Sequence, residues 1–195
     1  MTPAPGTSPA SSARERIVAT AAEMFETDGV QRTGINALIA RSGVAKDTLY
    51  KHFSSKDDLV VEVLRRRDEQ WCTWLRAGVE RATNDPAERL LAVFDMLDSE
   101  LSDPNYRGSV FLTASTDFPD AQHRVRHACV EHKTRVRQYL ADLGRDAGLP
   151  APEALGFQLL LLIDGAICAR TMQEDRQAGQ RAKQAAAVLI EAARR

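Results

Sequence analysis

The segment 35–53 holds two short runs of apolar residues at helical spacing, separated by Gly43. Leu38 lies in the first run, Leu49 and Phe53 in the second, and Val44 beside the glycine. Isolated helices shorter than about 12–15 residues are marginal in water, so neither run can stand alone. Each must be held by the other and by a third element, and a glycine between them permits the sharp turn this needs. The spacing predicts helices at 35–41 and 45–51 in a helix-turn-helix. A preceding helix at 13–27, with Ile17, Val18, Ala21 and Phe25 on one face and Asp28 and Gly29 at its end, supplies the third side.

The rest of the chain keeps the same three-and-four apolar spacing and offers no convincing period-two run, which makes the fold class all-α. Helices are expected at 56–83, 86–101, 110–116, 121–144, 153–173 and 180–193. The breaks are "NDP" at 84–86, "SDPNYRG" at 102–108, Phe118 with Pro119, and "GLPAP" at 148–152. Ser54 or Ser55 suits the cap of the long helix that starts at Lys56. The expected organisation is a Pro/Ser/Ala-rich disordered arm at 1–12, a helix-turn-helix domain at 13–55, and a larger helical domain at 56–195. A length of 195 residues at 44% hydrophobic suffices for a small and a larger core.

No run approaches about 20 consecutive apolar residues, since "LLLLI" at 159–163 is bounded by Gln158 and Asp164. The start lacks the basic and apolar regions of a secretory signal. Cys72, Cys129 and Cys168 are odd in number and far apart, which speaks against a disulfide framework or a structural zinc site. A soluble, cytoplasmic protein without cofactor or metal is expected. Catalysis is not: neither a nucleophile with base and orienting group nor a phosphate-cradling glycine loop is visible.

A net charge of -1 says little, but its distribution says more. From Gln31 to Lys56 the chain carries Arg32, Arg41, Lys46, Lys51 and Lys56 against one acid, Asp47, while the chain after Arg67 is mildly acidic. The helix-turn-helix is therefore the part suited to a polyanion. The run "RRR" at 65–67 is followed at once by Asp68 and Glu69 and is read as a solvated face.

Thr33, Leu38, Gly43, Val44, Leu49, Tyr50, His52, Phe53, Lys56 and Leu59 follow the pattern T-x4-[IL]-x4-G-V-x4-L-Y-x-H-F-x2-K-x2-L. In this the sequence resembles the TetR family of transcriptional regulators, and the order of the later helices is similar to that family's ligand and dimer domain. The resemblance implies a homodimeric repressor that binds a palindromic double-stranded DNA operator and lets go of it when a small-molecule effector binds.

In such a domain the second helix of the motif enters the major groove, with its first turns facing base edges and flanking hydroxyls and lysines on phosphates. Lys46 and Thr48 are the base-edge candidates. Tyr50, Lys51, His52 and Lys56 are the phosphate candidates, and the resemblance carries over Tyr50, His52 and Lys56 position by position. Thr33 and Asn36, at the start of the preceding helix, can meet backbone or a base edge. Ala45 stands where the family commonly has a capping serine, so that cap is missing or comes from elsewhere, and Gly34 replaces a common hydroxyl. Asp47 suits a helix start electrostatically and could alternatively accept from a cytosine amine.

For the larger domain, residues 155–172 are apolar nearly all round, which predicts burial on two sides. Ala182, Ala185, Ala186, Leu189 and Ala192 form a small-residue stripe on the last helix. A dimer interface is thus expected from Leu159, Leu162, Ile163, Ala166, Ala185, Ala186 and Leu189 in a four-helix arrangement. Trp71, Trp74, Phe94, Phe111, Phe118 and Phe157, with Asp164 as the one acid within 155–172, are the ligand-pocket candidates for a lipophilic or aromatic effector. A second reading is a metal- or redox-responsive regulator, using His123 and His127 at i and i+4 or the cysteine thiols.

Overall fold

The computed structural model describes residues 12–194. The expected arm at 1–12 lies outside the described residues except for Ser12. Among the described residues there are nine helices and no strand. The chain divides into two compact units, Met1–Val63 and Leu64–Arg195.

The amino-terminal unit is built from α1 (Ala13–Asp28), α2 (Ile35–Ser42), α3 (Lys46–His52) and the start of α4 (Lys56–Ala82). Ser12 Oγ accepts the Glu15 amide at 3.2 Å and so caps α1. Gly43 ends α2 with φ 65°, a left-handed conformation that a side chain would strain, and this sets the turn into α3. Ile17, Val18, Ala21, Phe25, Leu38, Leu49, Phe53 and Leu59 are buried. The short helices are thus held by packing, as their length requires. Ser55 Oγ accepts the Asp58 amide at 3.1 Å and is the cap of α4.

The first turns of α4 belong to this unit. Lys56 Nζ donates to the Gln31 carbonyl at 3.3 Å, and Glu62 pairs with Arg14 at 2.7 Å. These ties explain why the division falls at Val63 rather than at 55, where the helix merely begins.

The second unit contains the remainder of α4, then α5 (Pro86–Leu101), α6 (Val110–Asp117), α7 (Arg124–Asp146), α8 (Pro152–Gln173) and α9 (Ala178–Ala193). Its core joins Leu75 and Val79 of α4, Phe94 and Leu97 of α5, Leu140 of α7, Leu159 and Ile163 of α8, and Ala186 and Ile190 of α9. Two glycines let helices approach closely. A Cβ on Gly156 would stand 3.0 Å from backbone atoms of Arg137 and Ala141 in α7, and one on Gly179 would stand 2.6 Å from the Asp98 Cα in α5.

By length and composition α8 could cross a bilayer. Instead Leu155, Leu159, Ile163 and Ala166 are buried in this core, and Asp164 pairs with Lys133 of α7. It is a core helix.

That packing takes up four of the seven residues expected at a dimer interface. Leu159, Ile163, Ala166 and Ala186 are buried within their own protomer, Leu162 and Leu189 are half-buried, and Ala185 is exposed. The outward large apolar side chains are Phe157, Leu161 and Met172 on α8 and Val188 on α9. Because α8 is apolar all round, its sequence alone could not say which side faces inward.

Candidate functional site

Leu49 of α3 and Phe53 at its C-cap face the core, and the rest of the helix faces out. Ala45, Lys46, Asp47, Tyr50, Lys51 and His52 are exposed and Thr48 is half-buried. Among the described residues no carboxylate lies within ion-pairing distance of Lys46 or Lys51, so both charges are available to a polyanion. The other cations of the segment are engaged. Arg41 pairs with Glu23 at 3.1 Å, Arg32 Nε donates to the Asp28 carbonyl at 2.7 Å, and Lys56 holds Gln31. Asn36 is exposed on the first turn of α2.

Thr33 differs from the expectation. It is 2% exposed, and its hydroxyl donates to the Gly29 carbonyl at 2.8 Å, with the Met24 carbonyl at 3.3 Å. Its role is to fasten the α1–α2 turn from inside, because a short β-branched side chain there is covered by the end of α1. Ala45 is the N-cap of α3 and no side chain caps that helix, so the absent serine is not replaced. Asp47 sits in the first turn, where its charge complements the helix dipole.

The expected pocket residues separate. Phe111, Phe157 and Asp164 line a groove of about 380 Å³ between α6, α7 and α8. Trp71, Trp74, Phe94 and Phe118 do not line it. Phe94 is core, Trp71 Nε1 donates to Glu100 at 2.7 Å, Trp74 is partly exposed, and Phe118 stacks on His123 at 4.6 Å between ring centroids. His123 is the N-cap of α7, its Nδ1 accepting the Val125 amide at 3.3 Å, which places the ring proton on Nε2, so this histidine could ligate a metal only by giving up the cap.

Two features escaped the sequence. Arg126, Val130, Lys133 and Arg137 lie at steps of four, three and four along α7 and line the groove together. That spacing was the signal available. The other is a buried polar cluster. His132 Nδ1 lies 2.7 Å from Asp68 Oδ1, Arg135 pairs with Asp68 Oδ2 at 2.7 Å, and the Cys72 thiol donates to Asp68 Oδ1 at 3.3 Å. The His132 ring stacks on Phe111 at 3.7 Å between centroids. Burial holds His132 below its ordinary pKa, against the opposing pull of the Asp68 carboxylate. Burial, reinforced by Asp68, pushes the Cys72 thiol up to about 11, and burial does the same to Cys129. The ligating atoms of Asp68, Cys72 and His132 lie within 4.8 Å of one another. With Arg135 already on Asp68 and the thiol held protonated, the arrangement is satisfied as a hydrogen-bonded salt-bridge cluster.

Two short helices joined through an αL glycine and packed on α1, with an outward basic face on the second of them, form a helix-turn-helix. Residues 17–63 match the family model for bacterial regulatory proteins of the tetR family. The HTH-type transcriptional regulator YjdC of Escherichia coli is 22% identical over 154 residues, 79% of this chain and 81% of that protein. The HTH-type transcriptional activator FasR of Mycolicibacterium smegmatis is 32% identical over 145 residues, 72% of this chain and 63% of FasR. A solved TetR-family regulator from Streptomyces coelicolor superposes with a TM-score of 0.85 at 26% identity, covering 93% of this chain and 95% of its own. Another from Streptomyces avermitilis gives 0.81 at 28%, covering 94% and 98%. Residues 17–63 are a DNA-binding domain of the tetR family, and over nearly its whole length the chain has the fold of solved TetR-family transcriptional regulators.

Proposed function

We propose that this regulator is a cytoplasmic repressor that binds a palindromic operator as a homodimer and is released by a small molecule held in its second unit. The observation that carries the DNA part is the outward face of α3, with Lys46 and Lys51 unneutralised beside Thr48, Tyr50 and His52. Lys46 and Thr48 are the base-reading residues in this reading. Tyr50, Lys51, His52 and Lys56 position the phosphates, and Asn36 assists from α2.

The exposed apolar side chains Leu161 and Met172 of α8 and Val188 of α9 support self-association through those helices, since burying them against a second copy would remove apolar surface from water. Release requires a ligand with different affinity for the operator-bound and free conformations; binding both equally would shift nothing. Repression is the less constrained part, because FasR is named an activator whereas the KstR2 protein of Mycobacterium tuberculosis, 33% identical over 86 residues, is named a repressor.

Selection of binding sites from random DNA with the full chain tests the reading. A palindromic consensus, with affinity falling steeply as salt rises, is the expected result. A consensus without two-fold symmetry would overturn the homodimer part, and the absence of any consensus would overturn operator recognition itself. A reporter with the selected site overlapping its promoter then gives the sign of regulation.

A further inference from the structure

The groove between α6, α7 and α8 combines exposed apolar carbon with cations that lack a carboxylate partner. Within one protomer its apolar wall is uncovered: Phe157 is 50% exposed, Val130 53% and Leu112 44%. Its rim carries three cations, Arg126, Lys133 and Arg137, against one carboxylate, Asp164, which Lys133 already occupies. Arg126 donates to the Ser115 carbonyl at 2.6 Å, and among the described residues neither it nor Arg137 has a carboxylate within ion-pairing distance. Two positive charges therefore stand uncompensated beside exposed aromatic and aliphatic carbon.

A bare phosphate would satisfy the charges and leave the wall wet. A neutral hydrocarbon would cover the wall but leave the charges unanswered. The space, about 380 Å³, is that of a small-molecule site.

We infer that this groove takes an amphipathic organic anion, a carboxylate or sulfonate on an aromatic or aliphatic body, with the acid at Arg137 and Arg126 and the body against Phe157 and Phe111. This rests on the reading of a ligand-released regulator and narrows the effector from lipophilic to lipophilic and anionic. Phe111 is also the ring stacked on His132, whose Nδ1 is bonded to Asp68 of α4, so the occupied wall is in contact with the polar cluster of its own unit.

The test uses three probes of one shape on the full-length protein: 4-butylbenzoate, 4-butylbenzamide and 4-butylbenzylammonium, titrated calorimetrically at neutral pH. The benzoate is expected to bind about tenfold tighter than the amide, and the ammonium weakest of the three. Arg137→Gln, a change at an exposed side chain with no ion pair to lose, is expected to bring the benzoate down to the affinity of the amide. Phe157→Ala should weaken both by the same factor. Equal binding of benzoate and amide, no binding of any probe, or an unchanged preference in R137Q would each overturn the inference. A parallel anisotropy titration with labelled operator separates it from the reading beneath it. Benzoate that binds without releasing operator upholds the site and overturns ligand release at this groove; intact operator binding with no benzoate uptake overturns the site alone.

Discussion

Both units of this regulator expose cations, in different company. On α3, Lys46 and Lys51 stand among Thr48, Tyr50 and His52, side chains that are polar or end in a polar group, above a core formed by Leu49 and Phe53. On α7, Arg126 and Arg137 flank Val130 and share a concave surface with Phe111 and Phe157. A charge among hydroxyls and imidazole suits a hydrated phosphate, whereas a charge beside uncovered carbon suits an acid with an apolar tail. Cations alone do not announce a ligand; their neighbours do.

The comparison can be broken most severely at the foundation of the first surface. Leu49→Ala removes a fully buried side chain from a helix of seven residues and is expected to cost about 2–5 kcal/mol, seen as a lowered urea midpoint for the amino-terminal unit and loss of operator binding. The second unit should keep its own transition. If both units lose stability together, they do not unfold independently.

Next comes thiol chemistry, confined to the second unit. With Cys72 and Cys129 both pushed up to about 11, their thiolate fraction is about a hundredfold below that of a thiol at the ordinary value. Slow modification of both in the native protein at pH 8, relative to the unfolded chain, is the expected outcome with an aromatic disulfide reagent. Rapid modification of either would revive the redox reading.

Then the two lysines of α3 can be told apart. Lys46→Ala should weaken operator binding by about tenfold and relax selectivity at one base position. Lys51→Ala should weaken all sequences about equally and lower the salt slope by about one. Neither should alter benzoate binding, and R137Q should leave operator affinity unchanged. Any crossing of these effects would mean that the two cationic surfaces are not separate devices.

The smallest effect concerns His132. Its pKa is held below 6.5 in the folded protein, so as pH falls through 6.5 the unfolded chain takes up a proton that the folded one declines. Stability is therefore complete above that pH and declines below it. Urea midpoints between pH 7.5 and pH 5.5 should fall in the wild type and fall less in His132→Gln.

The two sites were unequally legible in sequence for a geometric reason. In the helix-turn-helix, core and surface residues alternate within one short segment, so Gly43, Leu49 and Phe53 fix the orientation of Lys46, Thr48 and Lys51 by spacing alone. The boundaries of α2 and α3 differed from expectation by a single residue. Thr33 was misjudged because its hydroxyl turns inward to bond the end of α1, a contact nine residues away. In the second unit the groove draws on helices that run from residue 110 to residue 173, and His132 meets Asp68 across a separation of 64 residues. No local periodicity encodes such meetings. The start of α7 also slipped, from 121 to Arg124, because the Gln122 amide bonds to Asp120 Oδ1 and His123 supplies the cap.

The tight passage of α9 over α5 has a genetic corollary. Any missense change at a glycine codon replaces glycine with a residue bearing a Cβ, and at position 179 that carbon would stand 2.6 Å from the Asp98 main chain. Backbone cannot swing aside as a long side chain can. The junction that seats the last helix is thus one missense step from failure at this codon, and inactivating lesions outside the DNA-binding segment are expected to recur there.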